Sequence, residues 1–290
     1  MKRILFFLCA FGFPAIAFSQ SNVMVGTLRP VKYEKLDDGA LRVFYEAKTA
    51  KDASRPENKD TDYMVLDIGE KGISRFFSDN RRRMDSMMLE SMNRGGPIQI
   101  NTNTINNSGI SSTGDSKEIF KNYPAGRITV TDRISASDYL YEEPKHDFKW
   151  QIEPETREIL SYSCQKAVTD FRGRRYEAWF APDLPVNDGP WKFSGLPGLI
   201  LSVEDSNKNF SFQAIGIENS KNPVNYPQKD YLKTSRGEVE KIQKKFSENP
   251  VSYMTNSMPG ANIQVRTIDR DGVERTGSEV KFPYNPMELE

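Results

Sequence analysis

Cysteine, histidine and long apolar runs are all scarce in this 290-residue chain, which has two cysteines and one histidine. With so few thiolate and imidazole ligands no Cys/His zinc cluster can be written, and no D-x-[DN]-x-[DN]-G loop offers a calcium site. No G-x-S-x-G elbow accompanies any serine, so a Ser-His-Asp arrangement would rest wholly on His146 in the loop-like "EEPKHDF". A G-x-x-x-x-G-K-[ST] phosphate loop is missing as well. Charge of one sign is not in excess, since 40 basic residues face 40 acidic ones. That balance argues against nucleic acid as a partner, which would call for a basic face. The sequence implies no cofactor.

The only long apolar stretch is at the start. In "MKRILFFLCAFGFPAIAFSQ", Lys2 and Arg3 precede a short apolar core, and Ala17 and Ser19 are small residues ahead of Gln20. This reads as a cleaved export signal over residues 1–19, with the mature chain beginning near Gln20. The core is short of the roughly 20 residues of a permanent membrane anchor. Phe7 and Leu8 before Cys9 do not suit a lipoprotein site. Cleavage leaves Cys164 as the one cysteine, so no intramolecular disulfide can form. A small, buried, inert side chain is the expectation for it. The periplasm is the expected location, with release from the cell as the alternative.

What is present is mostly strand. "ALRVFYEAKT", 63–68, 73–77, 127–134, 137–142, 147–152 and 159–169 all have β-type patterning with short polar connections. Short connections imply antiparallel pairing. In "AVTDFRGRRYEAWF" a turn at Arg172-Gly173 pairs Phe171 with Arg174, Asp170 with Arg175, Val168 with Glu177 and Lys166 with Trp179. Phe171, Ala167, Tyr176, Ala178 and Phe180 then share the core face, and the other face carries a charge pair and a lysine over an indole. Leu199, Leu201 and Val203 alternate into a second hairpin that returns through Phe210 and Phe212. Helices are expected over "NRRRMDSMMLESMN", capped by Ser78 and Asp79, and over "SRGEVEKIQKKFSEN", with Val239, Ile242 and Phe246 on one side. The fold expected is α+β and β-rich: a large, strongly curved antiparallel sheet, half-barrel in form, with one or two covering helices. One domain over 20–290 carries an Asn/Ser-rich insertion at 93–116, where a short hairpin through "IQINT" is conceivable.

In "GPWKFSGLPGLILSVED" Pro197-Gly198 suits a type II turn, with positive φ at the glycine, and Gly195 permits a second reversal or a close approach. Trp191 and Phe193 alternate with Lys192. The string Gly195-Leu196-Pro197-Gly198-Leu199-Ile200 resembles the signature of the GLPGLI family of exported proteins found mainly in Bacteroidetes. The resemblance extends over 150–205 and includes Trp150, Tyr162, Cys164, Lys166-Ala167, Gly173-Arg174, Ala178-Trp179, Pro185 and Gly189-Pro190. It implies export and a shared β core, and it supplies no catalytic residue.

Functionally, the sequence points to a non-catalytic envelope protein that holds an apolar small molecule or lipid, or a segment of an envelope partner. Trp191, Phe193 and Leu196 are the candidate ligand-binding residues. Met84, Met87, Met88 and Met92 recur at helical spacing and admit a second reading, a thioether cluster for Cu(I); packing explains the stripe as well. A carboxylate-dependent hydrolase is the third reading, with no pair of acids located.

Overall fold

The computed structural model describes residues 31–93, 114–257, 266–268 and 274–289. The expected leader and nearly all of the insertion, "IQINT" included, lie outside these residues. The chain begins with β1 (Lys32–Asp37) and enters a meander of β2 (Gly39–Thr49), β3 (Asp60–Gly69), β4 (Ser74–Ser78), β5 (Glu118–Lys121), β6 (Arg127–Ile134) and β7 (Ser137–Pro144), with helix α1 (Asp79–Asn93) after β4. A second meander follows: β8 (Gln151–Ile159), β9 (Tyr162–Phe171), β10 (Arg174–Ala181), β11 (Leu199–Asp205) and β12 (Phe210–Asn219). Then come β13 (Val224–Gln228), β14 (Leu232–Lys233), helices α2 (Arg236–Glu248) and α3 (Pro250–Ser257), and the pair β15 (Arg266–Ile268) and β16 (Glu274–Thr276).

Antiparallel pairing of β2 with β12 joins the two meanders into one 12-stranded sheet, and β14 adds to β7 in parallel at one edge. The sheet does not close into a barrel, yet it must curl. Strands β7 and β8 are ten steps apart in the strand order, about 48 Å in a flat sheet at ~4.8 Å per step. The chain from Pro144 to Gln151 can span only about 25 Å at full extension. A flat sheet is therefore excluded by covalent reach alone.

Alternation decides which face is which. Val43, Tyr45 and Ala47 on β2 and Met64, Leu66 and Ile68 on β3 are all buried, as period-2 side-chain placement requires. Val65 and Phe77 are buried on the opposite face. There the two-stranded ribbon of β1 and β13 lies against β3 and β4. The Arg75 guanidinium sits 4.3 Å from the Phe77 ring, and Phe120 meets Tyr226 at 5.0 Å. Helix α2 packs on β6 and β7, its start capped by the Ser235 hydroxyl accepting from Glu238 N. The Ser78 hydroxyl likewise accepts from Arg81 N at the start of α1, at 3.0 Å.

The β9–β10 hairpin has the register expected from its sequence, pair by pair. Arg172 (φ +44°) and Gly173 (φ +76°) form the turn with left-handed backbone at both positions, which an Asn-Gly pair would adopt more readily. Asp170 and Arg175 pair across it at 3.3 Å. One contact differs from expectation. The cation over the Trp179 ring is Arg157 from β8, at 4.3 Å, while Lys166 reaches Glu153 and Glu177. A guanidinium lies flat on an indole, whereas the lysine finds carboxylates within reach.

Candidate binding site

The segment between β10 and β11 enters the sheet interior, where β11 pairs with β10 and β12. Its local geometry differs from a simple strand entry. Phe193 N donates to Pro190 O, closing a turn with Trp191 and Lys192 at its centre, and Trp191 has φ +51°. For a bulky residue that conformation is strained. Trp191, Lys192 and Phe193 consequently do not alternate; all three are buried. The positive φ in the signature lies at Gly195 (+99°) and not at Gly198. Gly198 is required for space: a Cβ there would stand 2.2 Å from Ala181 O. The expected type II geometry at Pro197-Gly198 is thus replaced by a close backbone crossing.

Side chains from distant strands hold this segment. Lys121 on β5 forms a buried ion pair with Asp188 and donates to Gly189 O at 2.5 Å. Burial pushes the Lys121 pKa down, with Asp188 opposing that. Trp150 Nε1 donates to Ser194 O, and Tyr45 OH donates to Ile200 O. Phe193 and Leu196 pack fully inside the core, and Phe193 meets Tyr176, Trp191, Phe148 and Trp150 at centroid distances of 4.9 to 6.2 Å. Of the three candidate ligand-binding residues, Trp191 lines the open space beside this segment, and Phe193 and Leu196 do not line it. Cys164 and Trp179 are buried on β9 and β10, and burial raises the Cys164 pKa.

The open space is a cavity of about 440 Å³ on the concave face, between the sheet, helix α2 and the strap formed by residues 280–289. Met64, Phe76, Val130 and Phe212 from the sheet and Val239 from α2 make an apolar wall. Charged groups line it as well: Asp62, Asp115, Lys117 and Asp132 in one group, and Lys192, Arg236 and Glu288 in another. Lys192, 2% exposed, contacts Glu143 at 2.5 Å, Glu288 at 2.7 Å and Tyr141 OH at 3.2 Å. Arg172 from the hairpin turn reaches the same two carboxylates, at 2.9 and 2.7 Å. Arg236 at the start of α2 lies 3.3 Å from Glu288 and 2.5 Å from Glu240. His146 Nε2 is 3.2 Å from Glu143, and its ring packs on Phe171 and Phe148. Burial opposes ionisation of Glu143, but the bonds from His146, Lys192 and Arg172 more than offset it and hold the carboxyl well below the usual carboxylate range. A carboxylate held ionised in this way cannot serve as a general acid near neutral pH. Burial and the neighbouring Glu288 and Glu143 push the Tyr141 pKa well up.

Two residues of the methionine stripe have described side chains. Met84 is buried and Met87 half-buried on α1, while the side chains of Met88 and Met92 are outside the described residues. Among the described residues no group of three or more His, Cys, Asp or Glu side chains is placed to hold a metal ion. None of the described helices is long and apolar enough to cross a membrane. The charged group around Lys192 left little trace in the sequence. Its one signal is Lys192, a lysine set between two aromatics in an apolar run, and the groups around it come from four other parts of the chain.

The family model described as "N-glycanase peptide, N-terminal domain" matches residues 99–243, half of the chain. The chain belongs to this family. The block that carries the GLPGLI resemblance, 150–205, falls inside the matched stretch. Two crystal structures of PNGF-II, in space groups P21 and C2, are similar to this chain at 12% identity, with TM-scores of 0.47 and 0.49. The similarity covers 70% of this chain and 33% and 32% of theirs, so the chain spans about a third of the length of these proteins. No curated protein matches.

Proposed function

We propose that this chain is an exported, non-catalytic binding domain of the envelope that holds an apolar ligand, or an apolar segment of a partner, against the concave face of its sheet. The observation that carries this reading is the cavity of about 440 Å³ with its wall of Met64, Phe76, Val130, Phe212 and Val239. That volume is within the ~300–1,000 Å³ of small-molecule sites, which are mostly apolar with a few placed polar groups. Membership of a family described as the N-terminal domain of an N-glycanase peptide suits a module that works beside other parts of a larger system. The leader-like residues 1–19 support export, with the periplasm as the first location to test.

Native mass spectrometry of protein purified from its own envelope tests the proposal. A retained lipid or other apolar molecule is expected, and it should be lost in a Val239→Trp variant that fills the cavity. Protein that carries nothing and takes up no apolar dye would remove the reading.

A further inference from the structure

We infer that the cavity is a receptor for an amphiphile with a carboxylate head and a single acyl chain, whose head takes the place that Glu288 occupies in this structure. The inference rests on the apolar-cavity reading and adds the chemistry of the ligand's polar end.

One carboxylate, Glu288, is surrounded by three cations: Lys192 at 2.7 Å, Arg172 at 2.7 Å and Arg236 at 3.3 Å. These come from the β10–β11 segment, the β9–β10 turn and the start of α2, and Lys192 and Arg236 line the cavity that holds the apolar wall. Opposing them are Glu143 and Glu240. Withdrawing Glu288 therefore leaves one positive charge uncompensated in a largely buried setting, which demands another anion. Glu288 also fits imperfectly, because Arg172 Nη1, 2.7 Å from its carboxylate, is buried without hydrogen-bond geometry to any acceptor.

The strap that carries Glu288 is held by side chains and single contacts and not by a strand ladder. Tyr176 OH donates to Met287 O, Arg174 to Asn285 and Pro286 O, and Phe282 N to Ser247 O. Such a segment can withdraw without unpairing the sheet. Beside the cations the wall of Phe76, Val130, Phe212 and Val239 is suited to methylene groups. The cation cluster and the apolar wall beside it match a fatty-acid-like molecule, and a second charged group, Asp62, Asp115, Lys117 and Asp132, lines another part of the cavity. Glu288 is then an internal competitor, and the apparent affinity is reduced by the fraction of molecules in which it is seated.

The test is titration of the full chain, lacking only the leader, with laurate and with methyl laurate, followed by the fluorescence of Trp191 and its neighbours and by calorimetry. Laurate should bind at least about tenfold tighter than the ester. Glu288→Gln should strengthen laurate binding by about tenfold and leave the ester unchanged, and Arg236→Gln should weaken laurate alone. If Glu288→Gln does not fold, carboxyl-labelled laurate on the wild-type chain still decides the matter. Its carbon resonance should move on binding while the head stays ionised, and an unmoved resonance counts against the inference. Equal affinity for acid and ester would overturn the carboxylate head but leave the apolar cavity standing. Binding of neither ligand, nor of a neutral apolar dye, would remove both.

Discussion

Gly195 and Gly198 stand three residues apart in the signature string and are needed for different reasons. Gly195 supplies φ +99° with only Trp150 near, at 3.5 Å, whereas Gly198 supplies room against the Ala181 carbonyl. Alanine at 195 should cost about 1–3 kcal/mol of backbone strain and leave a folded protein. Alanine at 198 needs the backbone of β10 to move, and loss of soluble protein is expected; denaturant unfolding of the two variants separates these outcomes. Glu143 gives a second prediction. Its folded pKa is depressed, so the stability it contributes is complete above the unfolded carboxyl value of about 4.3 and is lost as pH falls toward the lower folded value. Glu143→Gln should lose about 3–5 kcal/mol near neutral pH, since buried Lys192 and Arg172 lose a partner. Below about pH 4 the gap to wild type should narrow, as melting at pH 3 and pH 7 would show. Neither effect was legible at the residue level. A glycine's φ and the neighbour of its absent Cβ depend on what lies across the fold.

The strands and hairpins were the most readable elements, because alternation and turn spacing are local. The β9–β10 hairpin followed its sequence even though Arg-Gly is a poor turn dipeptide. The structure gives the reason for tolerance: Arg172 is held by Glu143 and Glu288 at 2.9 and 2.7 Å. Arg172→Asn should improve the turn itself by a few tenths of a kcal/mol and still lower stability by about 1–3 kcal/mol, because bonds to charged groups are lost. A higher melting temperature in that variant would show the ion pairs to be energetically silent. At the edge, β8 is largely exposed, carries Pro154 among charged residues and shifts register between Ile152 and Thr156. These are the devices that keep an edge from pairing with another chain. Replacing Pro154 with Thr and Glu155 with Val should produce concentration-dependent light scattering with little change in far-ultraviolet circular dichroism.

Across the whole molecule the strap is the part that the sequence concealed. The tail from Asn256 reads as polar apart from "VKFPYNP", yet Val280 and Glu288 are buried and Asn285 bridges Arg174 and the Ala50 carbonyl. Asn285→Ala should loosen the strap at a cost of about 1–2 kcal/mol. Faster hydrogen exchange at the Phe282 and Leu289 amides, which bond to Ser247 O and Arg172 O, is the expected readout. Unchanged protection there would show that the strap is held without Asn285.

The sequence by itself determined a β-rich chain with two hairpins, one of them in its observed register, two helices, one with its cap, and an aromatic-rich entry into the sheet. These follow from periodicity and capping, which act over a few residues. Only the tertiary structure decided where the cavity lies in the curved sheet, that Lys192 points inward and that Glu288 meets three cations there. Those contacts join residues up to 116 positions apart, and no local pattern records which distant charges a closing sheet will bring together.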